Sequence, residues 1–118
     1  RSGKVVPYHE LSRLEEAVEA GLITQAEFDA VEQLDFILAG HEKPSGEDML
    51  LAVETSITVN VEDVDRAMQR ANILQKAGYR SRAAVGGNKV TPAAQARAQE
   101  GHVIVELRAI RNQPAPVL

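Results

Sequence analysis

Met49-Leu50-Leu51-Ala52-Val53-Glu54-Thr55-Ser56 is the stretch on which the fold turns. Its first five residues are apolar without a break, too short a run for a buried helix and typical of a central strand covered on both faces. Glu54 interrupts it. A carboxylate in such a strand is costly to bury unless it is paired or bound to a cation. Upstream, Pro44-Ser45-Gly46 marks a turn and Leu34–Ala39 reads as a second strand, close enough to pair with the first as an antiparallel hairpin.

Downstream, Asn60 or a neighbour caps a helix over Glu62–Ala77. Val64, Ala67, Met68, Ala71 and Leu74 share one face of it, and Gly78 closes it. Arg66 and Arg70 fall on the opposite face. Ile73 lies among them, where an isolated exposed isoleucine is common and could also mark a self-association surface. Ser81–Val85 is the next strand, followed by Gly86-Gly87. Thr91-Pro92 opens an alanine-rich helix that ends at Gly101, and His102–Leu107 is the last strand. Before the hairpin, Leu11, Leu14 and Val18 recur at helical spacing within Tyr8–Ala20, which Gly21 terminates. Thr24-x-x-Glu27 is a capping-box pattern opening a short helix with Phe28 and Val31. The order predicts an α/β domain, a mixed central sheet flanked by helices, over residues 1–111, with 112–118 as a proline-containing tail.

The 118 residues suffice for one core. Aromatics are only 3% against 44% apolar residues, so Leu, Val, Ile and Ala must build that core, and base-stacking platforms are scarce. The lack of cysteine excludes disulfides and thiolate metal sites, and fits a reducing, cytoplasmic setting. No apolar run approaches the roughly 20 residues that span a bilayer. Arg1-Ser2-Gly3-Lys4 has neither the apolar block of a signal peptide nor an initiator Met, so a piece of a longer chain is expected. The net charge of −4 is uneven: residues 1–60 carry 4 Lys and Arg against 12 Asp and Glu, residues 61–118 carry 9 against 5. The basic half could face phosphate; a solvated surface is the plainer reading.

Chemistry concentrates at the hairpin. Asp35 begins the strand before Glu54, and pairing would bring both carboxylates to one end of the sheet. Two hard oxygen ligands there suit Mg²⁺, which could activate water for phosphodiester hydrolysis. Alternatively Glu54 sits at an exposed strand end or pairs with an arginine such as Arg66. His9, His41 and His102 are too scattered for a zinc site, although His41 lies near the Asp35 strand. Glu32 could reach the hairpin from the second helix, but reads better as a surface carboxylate. Gly86-Gly87 lacks the spacing of a phosphate-binding loop and reads as a plain turn, and Ser12, Ser45, Ser56 and Ser81 show no nucleophile-elbow pattern.

Asp35 on one strand, then Glu54-Thr55-Ser56 ending the next, then a helix and further strands resembles the PD-(D/E)XK nuclease-like superfamily over residues 9–108. The resemblance implies a restriction endonuclease-like core, with Asp35 and Glu54 as metal ligands and Ser56 where the superfamily carries its motif lysine. A serine hydroxyl cannot supply that lysine's positive charge, and Arg66 or Arg70 is a poor general base. The expectation is therefore a nuclease-like domain with weakened or absent catalysis, serving binding or assembly, with self-association into a dimer. Two alternatives stay open. One is an active Mg²⁺-dependent nuclease whose Arg66, Arg70, Arg80 and Arg82 contact nucleic-acid phosphates. The other is a small α/β protein-interaction module.

Overall fold

Strand β2 (Phe36–Glu42) and strand β3 (Glu47–Thr55) form the expected hairpin, with Phe36 opposite Val53 and Leu38 opposite Leu51. The computed structural model describes residues 4–7, 11–42 and 47–108. The start of the first predicted helix, with His9, the Pro44-Ser45-Gly46 turn and the 112–118 tail lie outside the described residues, as does the side chain of His41.

The remaining elements follow the predicted order. Helix α1 (Ser12–Glu19) and helix α2 (Gln25–Glu32) precede the hairpin, and α2 starts with the anticipated reciprocal cap between Thr24 and Glu27. Helix α3 (Val61–Lys76) follows it, its first turn closed by Asn60 and Asp63 bonding each other's backbone amides. The chain then forms strand β5 (Ser81–Gly87), helix α4 (Pro92–Gly101), capped by Thr91, and strand β7 (Ile104–Leu107). Three two-residue strands escaped the sequence reading: β1 (Lys4–Val5) on the edge of β2, and β4 (Thr58–Val59) paired with β6 (Lys89–Val90). Such short segments carry no periodicity to read.

The main sheet has the order β1-β2-β3-β5-β7: antiparallel up to β3, parallel from β3 to β7. Both parallel connections step across the sheet in the same direction. Two right-handed crossovers of that kind deliver α3 and α4 to the same face. There the core assembles from Ile37, Ala52, Ala83, Val85 and Val103 of the sheet side, Val64, Ala67, Ala71 and Leu74 of α3, and Leu14, Ala17 and Val31 of the first two helices. No described helix covers the other face, so the expectation of a β3 covered on both sides holds for one side only among the described residues.

Ile73 is a correction. It is 2% exposed and belongs to the core. Helix α3 lies on β3 and β5 while α2 and α4 pack along it, so its buried arc is wider than the single stripe inferred from Val64, Ala67, Ala71 and Leu74. The row Asp63, Arg66, Arg70, Ile73, spaced three, four and three, runs along the margin of that arc and is drawn in with it. Among the described residues no helix is long and apolar enough to cross a membrane.

Candidate functional site

Side chains alternate across β3, which puts Ala52 and Glu54 on the helix-covered face and Val53 and Thr55 on the other. Glu54 is therefore buried, 5% exposed, at the carboxyl end of the strand, where α3 begins. Its Oε2 accepts a hydrogen bond of 2.8 Å from Arg70 Nη1, and its Oε1 lies 3.6 Å from Arg66 Nε. Arg66 also donates to the Asp63 carboxylate, tying the pair to the cap of α3. The arginines thus reach the sheet from the flank of α3, not from a face opposite its apolar stripe. Arg70 Nε is buried and makes no hydrogen bond among the described residues.

Asp35 immediately precedes β2, one step beyond the Phe36–Val53 pair. Its Oδ2 accepts from the Thr55 backbone N–H at 2.8 Å and from Thr55 Oγ1 at 3.2 Å, fastening the two strand ends together. It is close enough for its charge to act on Glu54. Burial pushes the Glu54 carboxyl above its ordinary value, the Arg70 hydrogen bond pulls it back, and the Asp35 charge pushes it up again. Burial prevails over the cations.

Ser56 leaves the strand. Its Oγ donates to the Thr58 carbonyl at 3.0 Å and so serves the turn into β4. The positive charge beside Glu54 comes from α3. Gly86 and Gly87 belong to β5, and Gly87 has a packing reason: a Cβ there would stand 2.1 Å from the Ser56 carbonyl oxygen and 3.0 Å from Val59 Cγ2. The glycine admits the chain leaving β3.

The four arginines divide into two pairs. Arg66 and Arg70 gather at Glu54, level with Val85 of β5. Arg80 and Arg82 stand at the start of β5, level with the Leu50–Leu51 end of β3, where Arg82 Nη2 donates to the His102 carbonyl at 2.9 Å. Four residues of strand, about 13 Å, separate the two positions. Glu32 is exposed at the end of α2, and His102 caps α4 in the left-handed conformation, at φ 57°. Among the described residues no group of three or more His, Cys, Asp or Glu side chains is arranged to hold a metal ion.

Two features went unread in the sequence. Asp63 is a buried member of the charge cluster, signalled by the Asn60-x-x-Asp63 cap, which also aims Arg66. On the uncovered face, the register lines up Phe36, Val53, Ala84 and Ile104 as one apolar row across four strands. No protein-family model, curated protein or solved structure matches this chain.

Proposed function

We propose that this chain is a non-catalytic nuclease-like domain that acts through binding and assembly, with an internal ion-pair cluster where the PD-(D/E)XK resemblance implies a metal centre. The observation that carries this reading is the pairing of Glu54. Each of its oxygens faces a guanidinium, Arg70 at 2.8 Å and Arg66 at 3.6 Å. A divalent cation would have to displace two fixed positive charges before gaining this ligand, and Mg²⁺ surrenders its waters reluctantly. Asp35 is engaged with Thr55, and Ser56 offers no charge to orient an attacking water. The cluster is better suited to locking the start of α3 onto the end of β3.

The experiment is a pair of measurements on the unmodified chain. Calorimetric titration with Mg²⁺ and with Mn²⁺ gives no binding heat up to about 10 mM metal. Single- and double-stranded DNA and RNA incubated with either ion remain intact. The active-nuclease alternative rests on the closeness of Asp35 and Glu54, and it makes the opposite forecast: cleavage that requires the metal and disappears in Glu54→Ala and in Asp35→Ala.

A further inference from the structure

We draw no further inference here: the strongest candidate, the apolar sheet face turned away from the helices, where Phe36, Val53, Ala84 and Ile104 line a depression of about 860 Å³, carries none because nothing in the structure shows what covers it.

Discussion

The two faces of this sheet are built from alternate residues of the same strands, yet they solve opposite problems. On the helix side, Ala52, Ala83 and Val85 are small enough for α3 to approach closely, and the buried Glu54 is compensated by Arg66 and Arg70. On the other side the residues between them, Leu51, Val53 and Ile104, are as apolar, but no described element answers them. Burial is finished on one face, and no described element completes it on the other. Alternation in a strand therefore reports which residues share a face, while the connections between strands decide what that face meets.

Breaking the helix side at its charged point has the largest expected effect. Glu54→Ala leaves Arg70 buried without its carboxylate, and removing one partner of a buried pair costs about 3–5 kcal/mol. Urea denaturation measures it. Glu54→Met combined with Arg70→Met should recover most of that loss, because two apolar side chains of similar length need no solvation. A Glu54→Ala variant as stable as the parent would mean that the pair contributes nothing to holding α3, and the structural account of the cluster would fall.

The contrast between the faces is sharpened by truncating one large apolar residue on each. Ile73→Ala opens a cavity in the helix-side core and costs about 2–5 kcal/mol. Phe36→Ala, half exposed on the open face, costs about 1 kcal/mol in the monomer. Equal losses of monomer stability would show that both faces are closed within a single chain.

Much of this was legible in the sequence. Caps and helical spacing announced α2, α3 and α4, the unbroken apolar run announced β3, and the short gap announced its pairing with β2. The nearness of Asp35 and Glu54 also followed from that pairing. Whether Glu54 met a metal or an arginine stayed open, because the answer depends on the rotation of α3 about its axis, which spacing along the chain does not encode. Ile73 was misplaced for a related reason. Its row looks polar because Asp63, Arg66 and Arg70 share it, and only the helices packed beside α3 make that row an inside row. Gly87 read as a turn residue because the carbonyl of Ser56 that crowds it lies far away in sequence.

The smallest expected effect concerns proton binding at Glu54, and its sign separates two views of the cluster. Burial holds this carboxyl above its ordinary value of 4.5 in spite of Arg70, with Asp35 adding to the rise. The folded state then binds the proton more tightly than the unfolded chain does. That linkage stabilises the fold fully at pH values below the unfolded value, and the contribution is lost as pH rises through the higher folded value. Glu54→Gln removes the titration. Measured by urea unfolding between about pH 4 and 7, the stability of the parent relative to Glu54→Gln should fall as pH rises from the ordinary value of 4.5 through the raised folded value. A relative stability that instead increases with pH would put the guanidiniums ahead of burial. The cluster would then be a net source of stability for the charged form, and the recovery expected from the paired Met variant would shrink accordingly.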